Sequence, residues 1–259
     1  QSYSVYEQAQ RYRAAKAVLQ DIYALDAEHA EAVKALEQLW EEGYTVAAHQ
    51  LGKFYRDDLS TLRDHEKAEQ WFRCSAEAGN DFSEYALGKL LLTQKRWEEA
   101  LGWLGKAADH GNQFARYRLG KIYLAGESVP KDVAKALAYL TASADQGNQF
   151  AQYTLGKLYL LGRDVPPDRE QAREWLIRAA AQGNEYARFF LDHFDQFRDP
   201  SVMLAASKLL HHMSRIFQNN SIPPVNPAGI RIDSKRRRRL MEKRMAMGHK
   251  ADDHEEQTQ

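Results

Sequence analysis

The sequence predicts an all-α fold, a solenoid of stacked helical pairs, because three markers recur in one register. Leu-Gly-Lys stands at 51–53, 87–89, 119–121 and 155–157, and Ala-x-x-Gly-Asn stands at 76–80, 108–112, 144–148 and 180–184. Aromatic residues recur at 71, 103, 139 and 175. Spacings of 32 or 36 residues are typical of helical repeats, in which each pair buries its apolar face against its neighbours.

The fourth unit shows how one repeat is expected to be built. Apolar residues at helical spacing predict a first helix from about 149 to 161 and a second from about 168 to 182. Gly156 lies inside the first helix, where glycine costs about 1 kcal/mol relative to alanine. We therefore expect a neighbouring helix to cross closely there. Gly183 is placed to end the second helix in the left-handed conformation.

The same markers predict the organisation of the whole chain. Helical pairs are expected at about 43–80, 81–112, 113–148 and 149–184, with a partial repeat at 185–197. The second pair is shorter because its internal loop shrinks to residues 93–96. Terminal repeats of a solenoid are atypical because one face meets water. Residues 1–42 are therefore interpreted as two capping helices, 198–218 as a C-terminal capping helix, and 219–259 as a flexible linker and basic tail.

Composition and charge exclude several classes of function. The 36 basic and 36 acidic residues balance, so global charge indicates neither a nucleic-acid nor a membrane partner. Cys74 is the single cysteine, which excludes an intramolecular disulfide and a cysteine zinc site and fits a reducing, cytoplasmic compartment. No run of residues is long and apolar enough for a membrane span. The chain starts without methionine or a signal peptide, so we expect a fragment or processed product of a longer protein.

The repeat resembles a known family. The pattern Ala-x-x-x-Leu-Gly-x-x-Tyr-x-x-Gly, then Val-Pro-x-Asp, then Ala-x-x-Trp/Tyr-Leu-x-x-Ala-Ala-x-x-Gly-Asn is similar to the Sel1-like repeat, a relative of the tetratricopeptide repeat. Residues 113–148 and 149–184 match it best. The resemblance implies a right-handed superhelix and a bacterial adaptor that scaffolds protein complexes without catalytic chemistry of its own.

The first helices carry a second stripe of residues, which lies away from the predicted core stripe. It repeats aromatic residues and a lysine along successive units and predicts a partner-binding groove. Its members are Lys53, Phe82, Tyr85, Lys89, Phe114, Tyr117, Lys121, Phe150, Tyr153, Lys157, Tyr186 and Phe189. One interpretation is that the groove binds an extended acidic peptide, and another is single-stranded nucleic acid stacked on the aromatics. A third is that the aromatics pack between units and the lysines are only solvated.

The C-terminal region carries a basic run and a second resemblance. Nine Lys and Arg residues stand against two acidic ones between 231 and 250, and those that could contact phosphates are Lys235, Arg236, Arg237, Arg238, Arg239, Lys243 and Arg244. The alternative is a solvated tail or one that folds onto acidic faces. Residues 200–217, then Gly-Ile-Arg-Ile-Asp-Ser-Lys at 229–235 and the basic run, resemble the C-terminal end of MobP-type mobilisation relaxases of Firmicutes. That resemblance implies an upstream DNA-nicking domain, while a free-standing Sel1 adaptor unrelated to DNA remains the alternative.

No residue pattern predicts catalysis or a bound cofactor. His211 and His212 are adjacent on a predicted helix, where they point about 100° apart and cannot chelate one ion well. His49, His110 and His193 lie in different units without ligand spacing. Cys74, beside Phe72, is interpreted as a small core residue. We therefore expect no catalytic residue, no metal and no cofactor, and the sequence assigns no oligomeric state.

Overall fold

The structure, a computed structural model, describes residues 4–21, 24–56 and 63–195 together with Val202, Ala205, Ala206, Lys208 and Leu209. Within these residues the secondary structure is α-helical, with no strand, as the repeat pattern predicts. The chain divides into two compact units, residues 1–112 and residues 113–259, and each is described separately.

The described residues of unit 1 form three helical pairs. Its helices are α1 (Val5–Gln20), α2 (Asp26–Glu41), α3 (Val46–Arg56), α4 (His65–Glu77), α5 (Asp81–Thr93) and α6 (Trp97–Asp109). The pair α1–α2 covers the predicted capping helices, and Gly43 follows it in a left-handed conformation with φ +88°. The loop between α5 and α6 is reduced to residues 94–96, which explains the 32-residue spacing. Lys95 takes a positive φ of 62° in this short turn.

Up to residue 195, unit 2 contains two full helical pairs and one further helix. Its helices are α7 (Gln113–Ala125), α8 (Val133–Asp145), α9 (Gln149–Leu161), α10 (Arg169–Ala181) and α11 (Glu185–Asp192). The predicted first helix of the fourth repeat coincides with α9. The predicted partial repeat at 185–197 begins with α11, which ends at Asp192 and is followed by a turn at His193 and Phe194. Residues 198–201 and most of the predicted final helix lie outside the described residues.

Each pair is held together by a close crossing at the glycine of the Leu-Gly-Lys marker. A Cβ built on Gly156 would meet Leu176 Cγ at 2.8 Å, and one built on Gly120 would meet Leu140 Cγ at 2.6 Å. Gly88 approaches Leu104 in the same way, and Gly52 approaches the ring of Phe72. The expected packing reason for the glycine is therefore confirmed. The crossing helix is the second helix of the same repeat, and it buries a leucine or phenylalanine against bare backbone.

The Gly-Asn marker joins one pair to the next. Gly147 has φ +97°, and the backbone N–H of Asn148 donates to the carbonyl of Ser143, which closes the end of α8. The side chain of Asn148 then accepts hydrogen bonds from the backbone N–H groups of Phe150 and Ala151, which caps the start of α9. The same double role belongs to Asn80 before α5 and to Asn184 before α11. One dipeptide thus ends a helix and begins the next, and this fixes the repeat length at the junction.

Candidate protein-interaction face

The residues of the predicted groove stripe differ in exposure. In unit 2, Tyr117, Phe150, Tyr186 and Phe189 are half-buried, Lys157 is half-buried and Lys121 is exposed. Phe114 and Tyr153 are buried, with 6% and 8% of their surface exposed. These two aromatics cannot offer a ring face to a partner, so the prediction that they line a groove is corrected to a role in packing.

The aromatic residues connect consecutive first helices. The rings of Tyr117 on α7 and Phe150 on α9 lie 6.3 Å apart, and those of Tyr153 on α9 and Tyr186 on α11 lie 5.9 Å apart. Tilted pairs at these distances add to the stability gained from burial. The aromatic of one repeat therefore packs against the aromatic that opens the next. The packing interpretation holds for the buried rings, while the half-buried rings remain accessible along one side.

The lysine stripe lies beside the tyrosines of the same helices. Lys157 Nζ lies 5.8 Å from the ring centroid of Tyr153, one helical turn earlier. In unit 1, Lys89 Nζ lies 5.4 Å from the ring of Tyr85 in the same arrangement. A cation over an aromatic face is attracted to it by about 0.5–1 kcal/mol at exposed sites. These contacts hold the ammonium groups on the side of the helix that carries the aromatic residues.

Lys121 and Lys157 occupy equivalent positions in consecutive repeats and share an unfavourable electrostatic environment. Burial lowers the pKa of Lys157, and the positive charge of Lys121 lowers it further. Burial and the charge of Arg118 lower the pKa of Lys121. Lys121 is nevertheless exposed to solvent. Within the described part of unit 2, neither lysine has a carboxylate partner.

In unit 1 the predicted groove residues are half-buried or buried. Lys53 and Lys89 are half-buried, Phe82 is half-buried, and Tyr85 is buried with 1% of its surface exposed. Tyr85 is therefore a core residue, and its predicted contact with a partner is excluded by burial. Unit 1 thus offers fewer aromatic edges than unit 2 along this stripe.

A histidine that the sequence analysis set aside takes the place of the tyrosine in the first repeat. His49 stands three residues before Gly52, as Tyr85, Tyr117 and Tyr153 stand before their glycines. Its ring lies 5.8 Å from Phe72 and 6.5 Å from Phe82. Burial, followed by the charges of Lys53, Arg56 and Lys16, lowers its pKa to about 3. The sequence indicates that His49 is unusual because a histidine stands at a repeat position where the following repeats have tyrosine. The spacing of the histidines along the chain gives no such indication.

Cys74, the possibility of a metal site and the possibility of a membrane span were also considered in the sequence. Cys74 is half-buried. Among the described residues no group of His, Cys, Asp or Glu is arranged to hold a metal ion. None of the helices in those same residues is long and apolar enough to cross a membrane. The basic run from Lys235 to Arg244 and the pair His211-His212 lie outside the described residues.

Stacked helical pairs with a glycine crossing inside each repeat define a tetratricopeptide-like α-solenoid, a class of repeat scaffold. Four segments of the chain match the Sel1 repeat, at residues 45–80, 98–112, 113–148 and 149–184. The chain therefore carries Sel1 repeats over these four segments. The third and fourth segments coincide with the predicted repeats, and the weaker second repeat matches over its second helix.

Solved structures support the same fold. A Sel1 repeat protein from Oxalobacter formigenes is 26% identical with a TM-score of 0.61, and the similarity covers 92% of this chain and 88% of that chain. The protective antigen c5321 of uropathogenic Escherichia coli is 22% identical with a TM-score of 0.58, covering 86% and 50% of the two chains. The immunity protein Pa5087 of Pseudomonas aeruginosa is 22% identical with a TM-score of 0.50, covering 95% and 83%. The last two show a similarity of fold alone. No match is found among curated proteins.

Sel1 repeat proteins are generally scaffolds for protein interaction, and their solenoids are typically non-catalytic. This chain is accordingly a repeat scaffold of the non-catalytic kind, as the resemblance to the Sel1-like repeat implies.

Proposed function

We propose that the half-exposed aromatic and lysine residues on the first helices of unit 2 bind an extended acidic segment of a partner protein. This surface, named the aromatic–lysine face, comprises Tyr117, Lys121, Phe150, Lys157, Tyr186 and Phe189. Its aromatic members offer apolar edges, and its lysines offer positive charge. A segment that alternates acidic and apolar side chains is complementary to both.

The observation that carries the proposal is the pairing of two like charges without a counterion. Lys157 is half-buried and Lys121 is exposed, and the positive charge of Lys121 lowers the pKa of Lys157. An arrangement of this kind costs stability in the isolated protein. A bound carboxylate removes the repulsion and replaces it with charge-assisted hydrogen bonds, so the cost is recovered on binding.

The proposal is tested by fluorescence anisotropy with the full chain and two labelled peptides. One peptide alternates glutamate with leucine, and the other carries glutamine in place of every glutamate. We expect the glutamate peptide to bind more tightly, with an affinity that falls as salt rises. Equal affinity for the two peptides contradicts the proposal.

Variants identify the face that binds. Lys121→Gln combined with Lys157→Gln is expected to remove the preference for glutamate and to leave the unfolding free energy unchanged or slightly higher, because the repulsion between the two ammonium groups is removed. Arg163→Gln, which removes an exposed cation from the loop after α9, serves as the matched control and should bind as the wild type does. Tighter binding of a labelled single-stranded oligonucleotide than of the glutamate peptide would favour the nucleic-acid interpretation instead.

The wider setting is a separate proposal that rests on sequence motifs outside the described residues. We propose that the chain is the C-terminal region of a mobilisation relaxase and that the basic run from Lys235 to Arg244 contacts nucleic acid near a nicking domain. Deleting residues 230–250 should then abolish salt-dependent oligonucleotide binding. Absence of binding by the full chain at about 50 mM salt, where phosphate contacts are strong, contradicts this part and leaves the aromatic–lysine face unaffected.

A further inference from the structure

At the end of α11 a histidine stands where the preceding repeats have a lysine. His193 follows Lys157 by 36 residues, which is the repeat length, and stands four residues after Phe189. In each earlier repeat an aromatic residue is likewise followed by a lysine four residues later, and these pairs are His49–Lys53, Tyr85–Lys89, Tyr117–Lys121 and Tyr153–Lys157. His193 therefore occupies the cation position of the repeat.

The ring of His193 lies against the aromatic residue of its own pair. The ring centroids of Phe189 and His193 are 4.5 Å apart, and the two rings are inclined by 32°. In the preceding repeat, Lys157 Nζ lies 5.8 Å from the ring centroid of Tyr153. A cation beside an aromatic ring is attracted to it. A protonated His193 therefore takes the place at Phe189 that the ammonium group of Lys157 takes at Tyr153.

A hydrogen bond determines which nitrogen atom of His193 takes up a proton. Nδ1 lies 2.9 Å from the carbonyl oxygen of Phe189. Because a carbonyl oxygen can only accept, Nδ1 carries a hydrogen atom and donates it in both charge states of the ring. The second proton therefore binds at Nε2. Since the hydrogen bond to Phe189 is kept, the ring gains a positive charge without losing the contact that orients it.

The charged groups around His193 come from several elements of unit 2. Arg169 and Arg173 on α10 lie 4.6 and 5.7 Å from the ring centroid of Phe194, the residue that follows His193. The other charged residues are Lys157 on α9, Glu185, Arg188, Asp192 and Asp195 on α11 and its following turn, and Lys208 beyond it.

Histidine is the side chain whose charge ordinarily changes between pH 5 and 8, whereas arginine, aspartate and glutamate ordinarily keep their charge at pH 6 to 8. Among the described residues of unit 2, His193 is the one histidine. A change of pH in this range therefore alters the charge at the end of α11 through His193.

We propose that Phe189 and His193 form the last, pH-sensitive pair of the aromatic–lysine face, and that protonation of His193 strengthens binding of the acidic partner segment. The proposal rests on the function proposed above for that face. At pH 8 the pair offers an apolar ring and a neutral imidazole. At pH 6 it adds a positive charge to those of Lys121 and Lys157, so a partner segment that reaches α11 gains a further ion pair.

The test measures the affinity of the glutamate–leucine peptide for the full chain by fluorescence anisotropy at pH 6 and pH 8, at constant ionic strength. Glutamate is ionised at both pH values, so the charge of the peptide does not change. We expect the wild type to bind about two- to fivefold more tightly at pH 6, as for one additional solvent-accessible ion pair.

Two variants fix the charge of the pair. His193→Lys keeps a positive charge at both pH values and should bind as the wild type does at pH 6. His193→Gln keeps a hydrogen-bond donor without a charge and should bind at both pH values as the wild type does at pH 8. His65→Gln, which removes an exposed histidine on α4, is the matched control and should retain the pH dependence of the wild type.

A second readout does not require a partner. In ¹⁵N-histidine NMR of the full chain, with the His193 signals assigned from their loss in His193→Gln, the neutral ring should carry its hydrogen on Nδ1. An Nε2–H tautomer, equal wild-type affinity at the two pH values, or an unchanged pH dependence in His193→Gln overturns the proposal. If the glutamate peptide is still preferred over the glutamine peptide, the aromatic–lysine face stands without it. Equal affinity for the two peptides at both pH values contradicts the face and this proposal together.

Discussion

Gly156 on α9 faces Leu176 on α10 so closely that a Cβ on the glycine would lie 2.8 Å from Leu176 Cγ and 3.2 Å from the carbonyl oxygen of Ala172. Backbone and a branched carbon cannot both move aside in a packed repeat. The glycine therefore determines how closely the two helices of the repeat approach, and the leucine fills the space that it leaves.

Gly156→Ala should lower the free energy of unfolding by about 1–3 kcal/mol, because the added methyl group overpacks the crossing. Gly102→Ala on α6 is the matched control, since a Cβ there meets nothing within 4 Å. In that exposed helical position alanine should stabilise by up to about 1 kcal/mol. Urea denaturation of both variants measures the two effects, and the same sign for both would contradict the close-crossing account.

Asn148→Ala should lower the free energy of unfolding by about 1 kcal/mol or somewhat more, because the side chain caps α9 through two backbone N–H groups. Asn148→Ser keeps a capping oxygen and should lose less. Thermal and urea denaturation compare the two variants. Equal losses would mean that the cap contributes little and that the buried amide acts through packing instead.

His49 predicts how the stability of the chain depends on pH. The unfolded imidazole takes up a proton near pH 6.5, whereas the folded one does so only near pH 3. Between these values the unfolded state binds more protons, so the unfolding free energy should rise with pH, by at most about 1.4 kcal/mol per pH unit from this group.

His49→Phe should flatten that dependence across the window from pH 3 to 6.5. The slope is the readout, because loss of the hydrogen bond to Ser83 lowers stability at every pH and leaves the slope unaffected. Urea denaturation at a series of pH values gives the comparison. A variant with the same slope as the wild type would show that His49 is not the group responsible.

The charge of Lys121 lowers the pKa of Lys157, so changing the first lysine should change the pKa of the second. In Lys121→Gln the pKa of Lys157 should rise, because a neighbouring positive charge is removed, yet remain below the ordinary lysine value of 10.5 because burial is the larger cause. NMR titration of the Lys157 side chain measures the change. An unaltered pKa would mean that the two ammonium groups do not share one electrostatic environment.

Much of the fold follows from local chemistry that the sequence displays. The helix 149–161 was predictable because an apolar stripe runs along it. Asn148 caps its start, and Gly162 ends it in the left-handed conformation. The burial of Tyr85, Phe114 and Tyr153 was not predictable in this way. A helical wheel gives the direction of a side chain, but the neighbouring repeat decides how much of it is covered.

The role of His49 shows a second kind of limit. Ser83, which is hydrogen-bonded to His49, and Ser75, which is hydrogen-bonded to Ser83, lie in the following helices, so this chain of hydrogen bonds exists only after three helices have packed. Ligand spacing along the sequence carries no trace of that arrangement. The repeat register does, since a histidine stands where the next repeats have tyrosine.

Charge reversal tests the central claim most directly. Lys121→Glu combined with Lys157→Glu should abolish binding of the glutamate–leucine peptide in the anisotropy assay and create binding of the corresponding lysine–leucine peptide. The folded state should be retained, as circular dichroism and urea denaturation would show. If the reversed variant still prefers the glutamate peptide, the aromatic–lysine face of unit 2 is not the surface that recognises the partner.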